Sequence, residues 1–183
     1  MSTLSALKYM HLTMLSKPAC DRALYKAIKK NQVASIVEFG LGNLSRTENL
    51  IRVAKKFSDG QPVRYTGVDL FEAAEVENPI RFKDAHLRLK QHDVKLQLVP
   101  GDTVSALTRI ANSHMRTDMI VLSGDFVDQS IDNCWFYFPR MLHATSSFFI
   151  QPEGNTTADF ERYTRLEIER KIKGASVKVA RAA

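Results

Sequence analysis

The chain has 183 residues, 44% of them hydrophobic and 25% charged, enough to bury a substantial core in a single domain spanning 1–183. No run approaches the roughly 18 apolar residues of a membrane span, and Cys20 and Cys134 fit no metal-ligand spacing, so reduced thiols in a cytoplasmic protein are expected. The net charge of +6 is spread over several amphipathic segments, which reads as a solvated basic surface rather than a basic tract.

Lys8 and His11 interrupt the apolar pattern of the N-terminus and argue against a secretion signal. Residues 1–30 read as one or two helices, broken near Ser16-Lys17-Pro18, ahead of a core over 33–183. An apolar run around Ile36 predicts the first strand, and Leu50, Ile51, Ala54 and Phe57 mark one face of a helix over 46–57. Residues 63–70 form the second predicted strand. Asn78-Pro79 looks like the cap and first residue of the next helix. A third strand over 95–99 leads through Pro100-Gly101-Asp102-Thr103 into a helix ending near Asn112, and a fourth covers 118–123. A helix over 130–143, a fifth strand over 147–151, a helix over 157–173 stopping at Gly174, and an edge strand at Val177-Lys178-Val179 complete the expectation. Strands alternating with helices imply a three-layer, doubly wound, mostly parallel α/β sheet with right-handed crossovers.

The stretch with the most chemistry is Glu38-Phe39-Gly40-Leu41-Gly42-Asn43, followed by Ser45-Arg46-Thr47-Glu48 at capping-box spacing. Gly40 and Gly42 allow positive φ and let a ligand approach bare backbone, while the helix N-terminus beyond suits a carboxylate or phosphate. A dinucleotide would be served equally well by these features. Glu38 discriminates, because a carboxylate beside the turn repels a pyrophosphate and favours an ammonium or sulfonium group. The third glycine of G-x-G-x-x-G would also fall on Ser45. A structural ion pair of Glu38 with Arg46 or Arg64 is the other reading.

Acid-x-Gly-x-Gly resembles the first motif of the class I S-adenosylmethionine-dependent methyltransferases, with Asn43 where the family's fuller form has a further glycine. The resemblance covers roughly 33–151 and implies a Rossmann-like methyltransferase fold with an N-terminal helical extension and a shortened C-terminus. It implies S-adenosyl-L-methionine as cofactor, held by Glu38, Gly40, Gly42, Asn43, Asp69, Leu70, Asp102, Thr103 and Ser123. In the family, an acid in the place of Asp69 binds the ribose diol and one in the place of Asp102 meets the adenine. Cap and turn roles are the competing readings for Asp102 and Asp125.

The implied reaction is methyl transfer to a small-molecule acceptor, on oxygen. Asp125 is the first candidate for the base that takes a hydroxyl proton, then Asp128, with His143 and Tyr9 behind them. Asp125 and Glu153 alone make a poor divalent-ion site, so no metal is expected. The Asn/Asp-Pro-Pro-aromatic motif of amino-methylating relatives is absent from strand four, which disfavours nucleic acid as acceptor, and homo-oligomer formation is left open. Two other functions stay open: a catalytically degenerate member of the fold that only binds, and a nicotinamide-dependent oxidoreductase.

Overall fold

The computed structural model describes residues 4–182, with backbone alone at 129, 133 and 174–182. The strands are β1 (Ser35–Phe39), β2 (Arg64–Asp69), β3 (Lys95–Pro100), β4 (Thr117–Leu122), β5 (Leu142–Ile150) and β6 (Glu161–Tyr163). They form one sheet in the order β3-β2-β1-β4-β5-β6. Every neighbouring pair is parallel except β5 and β6. The helices are α1 (Ala6–Met14), α2 (Asp21–Asn31), α3 (Ser45–Phe57), α4 (Phe82–Lys90), α5 (Thr103–Ile110), α6 (Phe138–Met141) and α7 (Arg165–Ala182).

Alternation along the strands builds the two cores. Ile36, Tyr65, Met119, Val121 and Phe149 face one side, where Leu24 and Ile28 of α2, Leu50 and Ala54 of α3 and Leu89 of α4 bury against them. Val37, Phe39, Val68, Ile120, Leu122 and Phe148 face the other, beneath Leu107 of α5, Phe138 of α6 and Ile168 of α7. Near-continuous burial along β1 and β4 is what a parallel strand covered on both faces requires. The strand order reverses between β1 and β4, so their carboxyl ends splay apart and leave a crevice.

Four expectations need correction. The helix expected to open at Asn78-Pro79 begins at Phe82, because Asn78 is left-handed and the Glu72 carboxylate accepts from the Phe82 N–H. The stretch read as a helix over 130–143 is short helical turns followed by α6; Pro139 lacks an N–H and cannot continue a helix begun before it. Residues 161–163 are the antiparallel strand β6, and α7 starts only at Arg165. The start signal is a reciprocal capping box: Glu167 accepts from the Thr164 N–H at 2.6 Å and the Thr164 hydroxyl accepts from the Glu167 N–H at 3.3 Å. Finally, α7 runs through Gly174, and Val177-Lys178-Val179 is helical rather than an edge strand. The antiparallel place beside β5 is already filled by β6.

Candidate active site

The turn after β1 alternates handedness. Gly40 (φ 80°), Gly42 (φ 53°) and Leu44 (φ 67°) are all left-handed, so the third special position falls on Leu44 and Asn43 keeps an ordinary backbone. Asn43 instead accepts from the Ser45 N–H at 2.9 Å through its Oδ1, which caps the start of α3. Ser45 is therefore the first helical residue rather than the cap. Glu48, the far half of the expected capping box, pairs with Arg88 of α4 at 2.6 Å. Arg88 also donates to the Asn43 carbonyl at 3.2 Å, bracing the turn from outside.

The two glycines serve different ends. A Cβ on Gly40 would sit 2.8 Å from the Ser123 Cβ and 2.9 Å from Asp125 Oδ1, so its bare face is packed by the loop after β4. A Cβ on Gly42 would meet nothing within 4 Å, so that face is open to a ligand. Asp69 pins the turn: its Oδ2 accepts from the Leu41 N–H at 2.7 Å and its Oδ1 from the Phe71 N–H at 3.0 Å. Phe71 is buried at φ 51°, a costly backbone for a bulky side chain, held there by Asp69 and by the edge of Phe82.

Glu38 does not face the crevice. It is fully buried on the α3 side of β1, where it accepts from Arg46 Nε at 2.6 Å, Thr47 Oγ1 at 2.9 Å and the Tyr65 hydroxyl at 2.5 Å. Of the two readings of Glu38, the geometry is that of the ion pair with Arg46. Burial lowers the proton affinity of the Arg46 guanidinium, but the charge and hydrogen bond of Glu38 outweigh it and keep the group firmly protonated. Burial, then the charge of Glu38, raises the Tyr65 phenol well above its ordinary range. Arg46 spends its other nitrogens on the Gly40 carbonyl at 2.5 Å and the Ser123 hydroxyl at 3.5 Å.

Two cavities meet over Gly42. One, about 600 Å³, is walled by Asp69, Leu70, Val76, Ile80 and Phe126. The other, about 390 Å³, is walled by Lys17, Asp21, Tyr25, Gly40, Arg46 and Ser123. Gly42, Asn43 and Asp125 line both, so Asp125 stands at the junction. The remaining expected residues lie elsewhere. Asp102 caps α5 by accepting from the Ser105 N–H at 2.9 Å, and that bond holds its carboxyl below the usual range. The Thr103 hydroxyl donates to the Phe126 carbonyl at 2.7 Å, so this residue fixes the cavity wall from behind. Asp128 is turned onto the N–H and hydroxyl of Ser130. His143 sits at the opposite end of the sheet on Asp118 at 2.8 Å, and Tyr9 packs edge-on against Phe57. Among the described residues no group of three or more His, Cys, Asp or Glu side chains converges to hold a metal ion.

No family model and no curated protein matches the chain by sequence. Solved structures do match by shape. The calicheamicin methyltransferase CalS11 superposes with a TM-score of 0.57 at 17% identity, over 84% of this chain and 68% of its own. An O-methyltransferase from Bacillus cereus in complex with SAH gives 0.56 at 14% identity, over 79% of this chain and 64% of its own. The O-methyltransferase TomG from Streptomyces achromogenes, in complex with SAM, gives 0.54 at 11% identity, over 92% of this chain and 75% of its own. The chain carries the class I methyltransferase fold. It spans under two thirds of the Bacillus cereus enzyme's length.

Within this methyltransferase fold, three wall residues, Lys17, Asp21 and Tyr25, and one residue behind the wall, Gln151, carry no sequence signature. Asp21 opens α2 and is buried against the far cavity. Burial foremost, helped by the negative charge of Glu38 and opposed by Arg46, pushes its carboxyl up to about 6. Burial and then Asp21 likewise raise the Tyr25 phenol. Gln151, at the end of β5, accepts from the Ser123 hydroxyl and the Gly124 N–H, both at 3.2 Å. Its amide donates to the Thr156 carbonyl at 2.8 Å and the Ala158 carbonyl at 2.9 Å. Gln151 thereby holds the β4 loop against the chain that follows β5. No single-residue pattern announces a glutamine in that role.

Proposed function

We propose that the chain binds S-adenosylmethionine across Gly42 and transfers its methyl group to a hydroxyl of a small acceptor. The observation that carries this reading is the pair of unlike cavities meeting over Gly42. The larger is apolar along Leu70, Val76, Ile80 and Phe126 and ends on Asp69, which suits a nucleoside. Each Asp69 oxygen keeps one lone pair beyond its backbone bond, enough to accept from a ribose hydroxyl. The smaller holds charges of both signs, Asp21 opposite Arg46 and Lys17, which suits the ammonium and carboxylate of an amino acid. The discrimination that Glu38 was expected to provide passes to Asp125 and Asp69. Their carboxylates would face a pyrophosphate laid over Gly42 and repel it, whereas a sulfonium there meets favourable charge.

When bound, S-adenosylmethionine supplies a methyl group already activated by positive sulfur. The chain's own part is geometric and acid–base: Gly42 admits the ligand, and Arg46 and Asp21 orient its charged end. With S-adenosylmethionine bound, Asp125, at the junction of the two cavities, would take the proton of the acceptor hydroxyl. The testing experiment is a thermal shift in SAM, SAH and NADH. SAM and SAH are expected to raise Tm and NADH to leave it unchanged. A shift with NADH alone would favour the oxidoreductase reading, and none with any of the three would remove the cofactor assignment.

A further inference from the structure

A third cavity, of about 290 Å³, opens at the amino end of the sheet, one strand length from Asp69, or roughly 16 Å at 3.3 Å per residue. Its wall contains Arg64 and Lys95, which are register partners on β2 and β3. Side chains of register partners share one face, so two solvent-exposed cations stand directly opposite each other, a like-charge pair that costs the sheet stability even after solvent screening. Among the described residues nothing neutralises it. No acidic side chain lines the cavity, and neither the Arg64 guanidinium nor the Lys95 ammonium has a hydrogen-bond or ion-pair partner among those residues.

Hydroxyl and amide groups complete the floor. Thr66 and Gln97 form a further register pair inward, and Ser35 lies across from Arg64 on β1. Thr66 Oγ1 is 2.9 Å from His114 Nε2, while His114 Nδ1 is 3.1 Å from the Ile110 carbonyl. The Ile110 carbonyl can only accept, and the Ser113 hydroxyl, 2.9 Å from Nδ1, donates its own proton to that carbonyl at 3.1 Å, so Nδ1 carries the proton and Nε2 accepts from Thr66. Burial first, with the field of Arg64 adding to it, favours this neutral imidazole. Asp118, the acid on the neighbouring strand, is turned away onto the Ala34 and Ser35 N–H groups and His143.

We infer that this cavity binds a small phosphate-class anion, either inorganic phosphate or a compact phosphomonoester, between Arg64 and Lys95 and above Thr66 and His114. The anion would supply the charge that the register pair lacks, in an opening of about 290 Å³ that admits it with room for bridging water. The site is independent of the methyltransferase reading, since it shares no residue with either cavity over Gly42.

The test is thermal unfolding of the full chain, titrated with inorganic phosphate and separately with a phosphomonoester, at constant ionic strength set by chloride. Phosphate at about ten times its dissociation constant is expected to raise Tm by about 3–6 °C. Lys95→Gln is expected to abolish that rise while leaving Tm in chloride equal or higher, because it relieves the repulsion. NMR supplies the location: the His114 imidazole signals should move during the titration, and those of His143 should not. A rise with the phosphomonoester alone assigns the site to an ester, and a rise with both assigns it to the shared phosphate group. No rise with either anion, an equal rise in Lys95→Gln, or a Lys95→Gln chain less stable in chloride would overturn the inference.

Discussion

Glu38→Gln separates a structural carboxylate from a ligand-binding one. The change is isosteric, so the cost is electrostatic. The glutamine carbonyl can still accept from Thr47 and Tyr65, which share Oε2, but its amide then faces Arg46 Nε donor to donor. Arg46 loses its charge partner where 13% of its side chain is exposed and none of Glu38 is. At that depth solvent screening offers little relief, and breaking one side of a buried pair costs about 3–5 kcal/mol. For a chain of this length that lowers Tm by roughly 6–20 °C. Urea unfolding at pH 7 reads the loss directly, and a cycle with Arg46→Met isolates the pair, since the double variant should recover part of it. A loss below about 1 kcal/mol together with weakened SAH binding would refute the reasoning and return Glu38 to the ligand.

Three further outcomes are expected. Asp21 has its folded pKa raised to about 6, above its unfolded value near 4, so it destabilises the fold progressively as pH rises from about 4 to about 6 and fully above that. A rise of that size costs the ionised carboxylate about 3 kcal/mol, so Asp21→Asn should be the more stable chain by about that much at pH 7.5 but not near pH 4; an advantage that does not change with pH in urea melts would contradict this. Gly42→Ala should cost only about 1–2 kcal/mol for its left-handed backbone, since a methyl there touches nothing, yet remove the thermal shift given by SAH. A retained shift would take the ligand off Gly42. Asp125→Asn should leave SAH affinity in calorimetry intact and slow methyl transfer to a hydroxyl acceptor by about 10²–10⁴-fold; an unchanged rate would leave the proton to another group.

β1 and β4 were legible because burial on both faces writes itself into sequence as apolar runs, and β3 because Lys95 to Leu98 alternate; β1 to β4 all fall within a residue or two of their expected bounds. The elements after β5 were not, because Glu161-Arg162-Tyr163 has no strand pattern of its own. It becomes one by pairing with Phe148–Ile150, a tertiary event. In the crevice, positions fixed by backbone were readable: Gly42, Asn43 and Asp69 line it because a tight turn at a strand end demands those residue types. Side-chain allegiance was not readable. Glu38 and Asp102 have the spacing of ligand residues, yet one is taken by Arg46 and the other by the N–H of Ser105. Asp21 enters from a helix that precedes the first strand, at a distance in sequence that no local motif spans.

A crystal of the chain grown with SAH tests the central claim most directly. The expected density lies over Gly42, with the nucleoside toward Asp69 and Leu70 and the amino-acid end between Asp21 and Arg46. A crevice left empty at saturating SAH, or the amino-acid end found in the cavity beside Val76, would contradict the account.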